Sequence, residues 1–326
     1  MNKVPKDIRE LVSRLDKSTG SKPPTLCVVA NSWNHYLKAG LMAVKRRWAT
    51  LRIICDETVM KPYLDQGMIP DRDVSVHHVS DSNAQLALLR DWCVEKEVDV
   101  LLPGDLSQGQ LYHLLSNPYH RQSLEDGASR ACLVSVPGYP RIFAIVGPVN
   151  PENPLFNQMV LHMKNGYHLA AGLGVERPKI ALLSALDRVG IDDLHTYNCK
   201  CLVSQNQLEQ IPGMDLEGPM SFDTAIDPAT VEYLGWKGPV AGQADILIVD
   251  NQQTRSILAL TLKIFGKAQT ARVGLGGRIP LAYLLEDATD VDVENTLAAA
   301  INLAPYMRKA DPLDWLTEPD PIDYAW

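Results

Sequence analysis

No apolar run in this 326-residue chain approaches the length of about 18 residues needed for a membrane helix. The first 22 residues are polar and charged and lack the apolar core of a secretory leader. No Gly-x-x-x-x-Gly-Lys-Ser/Thr occurs, which removes the phosphate loop of nucleotide triphosphatases. No Gly-x-Ser-x-Gly occurs either, so a hydrolase built on a nucleophile elbow has no support. Basic residues are not in excess. The formal charge is −8, which argues against a nucleic-acid partner, because phosphate backbones are gripped by clustered Lys and Arg. The single basic run, Lys45-Arg46-Arg47, closes a helical pattern and reads as a solvated helix end that complements the dipole. No internal repeat or low-complexity segment stands out.

What remains is the composition of an ordinary globular protein, 46% hydrophobic and 21% charged. Its length suggests two domains. Of the six cysteines, Cys27, Cys55 and Cys132 sit inside apolar strand-like runs, where a free thiol behaves as a small buried hydrophobe. A reduced, cytoplasmic protein is expected, with no membrane association.

Short Val/Ile-rich runs alternate with helical patterns. Thr25–Ala30, Leu51–Cys55, Val74–Val79 and Val98–Leu102 read as buried strands. Helical periods fill Lys6–Lys17, Tyr36–Trp48 and Ala84–Val94, and another resumes at Gln108–Leu115. That order predicts βαβ units and a parallel sheet. At Ala131 the pattern changes: Ala131–Val136 and Ile142–Val146 flank Pro137-Gly138-Tyr139-Pro140, which predicts an antiparallel hairpin. The crossover into a second domain falls here. Domain one is expected over residues 1–140 plus 288–326, and domain two over 141–287. Pro154–Leu173 is the longest helical pattern. Asp187–Leu208 has no clear period and reads as loop with some helix. Lys179–Ser184, Asp245–Val249, Ala271–Leu275 and Leu281–Leu284 are further strands, and Val291–Ala304 a last helix. The tail from Asp311 to Trp326, rich in Pro and Trp, is expected to wrap a surface or pack on a partner.

Several chemical signals have plainer readings. Gly274-Leu275-Gly276-Gly277-Arg278 follows a strand, but an extended Ile279-Pro280 comes next where a dinucleotide fold needs a helix, so a turn between strands is expected. His195, Cys199 and Cys201 are too closely spaced for a structural zinc site and have no second pair nearby. No metal is expected. The polar loops after strands are the better candidates, because open α/β sheets bind ligands at strand carboxyl ends. They contain Asn31-Ser32, Gly104-Asp105, Gly147-Pro148-Val149-Asn150 and Asp250-Asn251, with Arg121 and Arg130 near in sequence. Such amides and cations suit an oxyanion or phosphate.

Five blocks, in order, carry a family resemblance: Val98-Asp99-Val100-Leu101-Leu102-Pro103-Gly104, Ser135-Val136-Pro137-Gly138-Tyr139, Glu217-Gly218-Pro219-Met220-Ser221-Phe222-Asp223, Ala244-Asp245-Ile246-Leu247-Ile248-Val249-Asp250-Asn251 and Leu275-Gly276-Gly277-Arg278-Ile279-Pro280. From Thr25 to about Ala304 the chain resembles the phosphate acetyl/butyryltransferases. The resemblance implies a two-domain α/β fold of the isocitrate/isopropylmalate dehydrogenase type with an interdomain cleft, and a homodimer. It implies acyl transfer between coenzyme A and phosphate, with acyl donor and acceptor as small-molecule substrates. No cofactor is held permanently, and coenzyme A or acyl-CoA enters as substrate.

The family's Ser-Arg pair and following Asp fall on Leu285, Glu286 and Ala288, so the usual cation has become an anion. At 4 Å and an effective dielectric near 20, Glu286 and a phosphate oxygen would repel by about 4 kcal/mol. The expected cleft is therefore a rebuilt one. Asp287, Glu286 and Asn251 are the catalytic candidates; Arg130, Arg278, Ser221, Gly104, Asp105 and Asn150 are the substrate contacts. The alternative is a non-catalytic relative that keeps the scaffold to bind a small ligand or a protein.

Overall fold

The central Val/Ile-rich runs lie in one sheet because they are apolar on both faces and must be covered on both. The computed structural model describes residues 4–17, 22–70, 72–107, 109–111, 128–149, 156–277 and 279–310. Its strands are β1 Thr25–Val29, β2 Thr50–Cys55, β3 Val74–His78, β4 Val100–Leu102, β5 Ser129–Ser135, β6 Phe143–Pro148, β7 Lys179–Leu183, β8 Asp215–Met220, β9 Ile246–Ile248, β10 Gln269–Leu275 and β11 Leu281–Ala282. Its helices are α1 Ile8–Asp16, α2 His35–Lys45, α3 Glu57–Asp65, α4 Ser82–Val94, α5 Phe156–Gly172, α6 Leu194–Gln207, α7 Phe222–Ile226, α8 Pro228–Leu234, α9 Gln252–Ile264 and α10 Asp290–Met307.

The strands form one 11-stranded sheet in the order β3-β2-β1-β4-β11-β10-β5-β6-β9-β7-β8. The expected antiparallel hairpin is β5–β6, and a further antiparallel strand, β10, was not expected. β10 runs antiparallel to both β11 and β5, and β5 antiparallel to β6. Two tight reversals are the cause: the Pro137–Pro140 loop turns β5 back into β6, and the glycine turn after Leu275 turns β10 into β11. The flanking strands are parallel within each half but opposed between halves. The carboxyl ends of β1 and β4 therefore lie at one edge of the sheet, and those of β6, β9, β7 and β8 at the other.

Caps set the helix starts. Asp7, Asn34, Asp81 and Asn251 each accept a backbone N–H from the first turn of their helix, and Thr289 with Asp292 closes a capping box at α10. Buried residues crowd α10, including Leu297–Ile301, and it packs against β10, α1 and α5 as the central covering helix.

Two segments differ from expectation. A helix, α3, occupies 57–65 despite Pro62, started by Asp56, whose carboxylate accepts Thr58 N–H at 2.8 Å. The region 187–208 resolves into α6, capped by Asp193. Its buried face is Thr196, Cys199, Leu202 and Val203, at helical spacing but half polar or small, which hid the period. Among the described residues no helix is long and apolar enough to cross a membrane. The tail from 311, Arg121 and most of the pattern at Gln108–Leu115 lie outside the described residues.

Candidate functional site

The polar strand-end loops do not converge on one point. At the first edge, Gly104 has φ +65°, and a Cβ there would stand 1.9 Å from the Val29 carbonyl oxygen, so only glycine fits. The Asp105 carboxylate accepts Asn31 N–H at 2.7 Å and Ser32 Oγ–H at 3.0 Å. The Asn31 amide oxygen in turn accepts from Gln85 Nε2 and from Asp56 N–H, both at 3.0 Å. This network ties the ends of β1, β2 and β4 together and occupies its own polar atoms.

The second edge is similar. Ser221 N–H donates to Asp187 at 2.6 Å, and Ser221 Oγ lies 2.6 Å from Asp223 and 2.9 Å from Thr224. Asn251 is the cap of α9, accepting Thr254 N–H at 2.7 Å and donating to Asp250 at 2.9 Å. Ser221 stands four strands beyond β5, roughly 19 Å along the sheet. His195 Nε2 lies 2.8 Å from the Leu183 carbonyl, and Cys199 beside it is buried.

Cationic side chains meet instead on the face of the sheet beneath α9. Antiparallel pairing sets Arg272 opposite Cys132 and Gly274 opposite Arg130, and cross-strand partners share a face. Arg130 and Arg272 therefore project to the same face of the sheet. A pocket of about 150 Å³ results, lined by Arg130, Arg255, Arg272, Ser256, Tyr283 and Leu285 with apolar neighbours. The Arg130 guanidinium lies 4.0 Å from the centre of the Tyr283 ring, a cation–π contact. Arg255 is 5% exposed, and its Nη1 donates to the carbonyls of Pro148 at 2.8 Å and Gly147 at 3.3 Å. Arg272 Nη1 reaches Thr270 Oγ1 at 3.3 Å. Among the described residues neither Arg130 nor Arg272 forms an ion pair.

The wall formed by 283–285 is anchored from α2. Tyr36 Oη donates to the Leu284 carbonyl at 3.2 Å and accepts Leu284 N–H at 3.3 Å, and burial pushes its phenol up to about 12. Burial also raises the Cys132 thiol, against the lowering pull of Arg272 and Arg255. Leu285 faces the pocket, whereas Glu286 and Asp287 follow in an exposed turn closed by Ala288 N–H to the Leu285 carbonyl at 3.1 Å. Neither carboxylate makes a hydrogen bond or ion pair among the described residues. Arg278 and Asn150 lie outside the described residues.

On the opposite face of β5 is a contact the sequence did not suggest. Ser129 Oγ lies 2.7 Å from His162 Nδ1 and accepts from Asn165 Nδ2 at 2.8 Å. Ser129 and His162 are each 1% exposed, and burial, then the Arg255 charge, lowers the His162 pKa to about 4. A buried serine held this way is a structural polar contact. Arg255 and Arg272 were also missed; a register of β10 against β5 would have found Arg272, and nothing local marks Arg255.

The mixed sheet with its covering helices is the α/β fold of the phosphotransacylases. A branched-chain phosphotransacylase from Enterococcus faecalis superposes with a TM-score of 0.71 at 20% identity, covering 86% of this chain and 99% of that one. A phosphotransacetylase from Streptococcus pyogenes gives 0.70 at 15% identity, covering 92% and 99%. In sequence, the family described as phosphate acetyl/butaryl transferase matches residues 149–301. The phosphate acetyltransferase of Thermotoga maritima is 30% identical over 187 residues, 57% of this chain and 63% of its own length. A probable phosphate butyryltransferase of Bacillus subtilis is 27% identical over 187 residues, 57% and 62%. Over residues 149–301 the chain is similar to the phosphate acetyl/butyryltransferase family, and its fold is that of the phosphotransacylases. The match spans less than two thirds of these two relatives.

Proposed function

We propose that the protein is an acyltransferase acting on acyl-CoA or acyl phosphate, and that the arginine pocket holds the anionic group. One observation carries this: three arginines, from β5, α9 and β10, line one pocket beside Leu285, where the family's site falls. In the division into residues 1–140 plus 288–326 and 141–287, that pocket straddles the boundary, as an interdomain site must. The cation lost at Glu286 is replaced from Arg255 and Arg272. Transfer needs no permanent cofactor. The coenzyme A thiolate attacks the acyl carbon, the bond from that carbon to the phosphate oxygen breaks, and the phosphate receives the thiol's proton back from the base and leaves as the dianion, stabilised by fixed cations. Asp287 or Glu286, in the exposed turn next to the pocket, takes the thiol proton. Arg130 is the first anion contact, and Arg278 is a second candidate from the sequence. Asn251 starts the helix that bears Arg255, while Ser221, Gly104 and Asp105 hold strand ends away from the pocket. A cytoplasmic setting fits such substrates.

A non-catalytic binding scaffold is the second reading, favoured by the exposed, unpartnered state of Glu286 and Asp287. Calorimetric titration with inorganic phosphate and with coenzyme A, followed by thiol release from acetyl-CoA in phosphate, separates the two. Binding with turnover supports the acyltransferase, and binding without turnover the scaffold. No binding of either ligand overturns both. Asp287→Asn or Glu286→Gln then identifies the base by loss of turnover with phosphate affinity retained.

A further inference from the structure

A further pocket, of about 280 Å³, opens at the amino ends of β6 and β9. Ala144 and Ile246, which pair across those two strands, line it from the sheet, and Ala170 and Leu173 line it from the end of α5. Val4, Pro5 and Lys6, the segment leading into α1, close another side. This space is separate from the arginine pocket. Ala144, Ala170 and Ile246 belong to the core layer that holds Met163 and Leu169 of α5, whereas Cys132 and Ala259 of the arginine pocket belong to the layer beneath α9. Ala144 also lies three positions before Gly147, the cross-strand partner of Arg130, which is roughly 10 Å along the strand.

The charges select the occupant. Lys6, Arg141 and Asp245 are the ionisable side chains along the described wall. Asp245 is already matched: its Oδ2 accepts Lys179 N–H at 3.0 Å, and its Oδ1 lies 3.7 Å from Arg141 Nη1, which donates to the Gln243 carbonyl at 2.9 Å. Lys6 is not matched. It is exposed and forms no ion pair among the described residues. Its backbone is nevertheless held, because Lys6 N–H donates to Glu10 Oε2 at 2.9 Å and Ile8, two residues on, is buried in the core. One surplus positive charge beside apolar side chains complements a ligand with one negative charge and an apolar body. Inorganic phosphate has no such body, and an amine would be repelled by Lys6 and Arg141.

We infer that this pocket binds a small monocarboxylate with a short aliphatic tail, its head toward Lys6 and Arg141 and its tail against Ala144, Ala170, Leu173 and Ile246. The site is independent of the acyltransferase reading. Saturation-transfer NMR on the full chain, titrated with sodium valerate, sodium propionate and valeramide, reads it directly. Valerate is expected to bind about 15-fold more tightly than propionate, at about fourfold for each of two further buried methylenes. Valeramide keeps the tail and lacks the charge, and is expected to bind about tenfold more weakly than valerate. Lys6→Glu is expected to weaken valerate by about tenfold with an unchanged thermal melt, since the side chain is exposed. Arg272→Gln is expected to leave valerate affinity as it is, which separates this site from the arginine pocket. The assignment is overturned if valerate at about 10 mM gives no saturation transfer, or if valeramide binds equally well. Full affinity in Lys6→Glu, or loss of affinity in Arg272→Gln, overturns it as well.

Discussion

The first edge of the sheet and the arginine pocket are built from equally polar side chains, yet they end in opposite states. Around Asp105 each polar atom finds a partner within the fold: Asn31, Ser32, Gln85 and Asp56 satisfy one another. Beneath α9, three guanidiniums share a space of about 150 Å³ with no carboxylate paired to Arg130 or Arg272 among the described residues. Saturated polar groups hold strands together, while cations left without a counter-charge favour an anion from outside. Polarity at a strand end is therefore a weaker pointer to a site than an unbalanced charge is.

That contrast can be broken most sharply at Gly104. Gly104→Ala puts a Cβ 1.9 Å from a backbone oxygen at positive φ, and is expected to cost about 3 kcal/mol or more in denaturant unfolding. A loss under about 1 kcal/mol would mean that the first edge relaxes freely.

A comparable effect is expected from acid. His162 is buried, with its folded pKa lowered to about 4 against about 6.5 unfolded. The unfolded chain therefore binds the proton first. The stability that this neutral imidazole contributes is complete above pH 6.5 and falls as pH drops towards 4, by about 3 kcal/mol. Melting curves across that window are expected to flatten in His162→Gln; an unchanged slope would assign the acid sensitivity elsewhere.

Smaller is the loss for Asp105→Asn, about 1–2 kcal/mol, from the weakened bonds to Asn31 and Ser32. Phosphate affinity is expected to stay the same. Smallest in stability is Arg272→Gln, within about 0.5 kcal/mol, yet phosphate affinity is expected to fall about tenfold. If Asp105→Asn weakened phosphate and Arg272→Gln did not, the roles assigned to the two regions would be reversed.

Much of the fold was legible because strands and helices write local periods. The runs at Thr25, Leu51, Val74 and Lys179 became β1, β2, β3 and β7 within a residue or so. The hairpin at Pro137–Pro140 was also readable, since Pro and Gly punctuate the chain locally. α6 was hidden because its buried face uses Thr196 and Cys199 in place of large aliphatics. Of the candidate site, Arg130 was named in advance and lines the pocket, whereas Arg255 and Arg272 were not. Asn251 and Ser221 are engaged as the cap of one helix and the start of another, roles that a motif does not distinguish from ligand contact.

By itself the sequence determined the alternation of strands and helices and the resemblance to the phosphate acetyl/butyryltransferases, because each is written in neighbouring residues. Only the tertiary structure decided where positive charge gathers. Arg130 and Arg272 meet because an antiparallel register sets Gly274 and Cys132 between them, and Arg255 arrives on a helix packed across that face. Arg130 lies more than a hundred positions from both Arg255 and Arg272, and side-chain periodicity has no term for such distances.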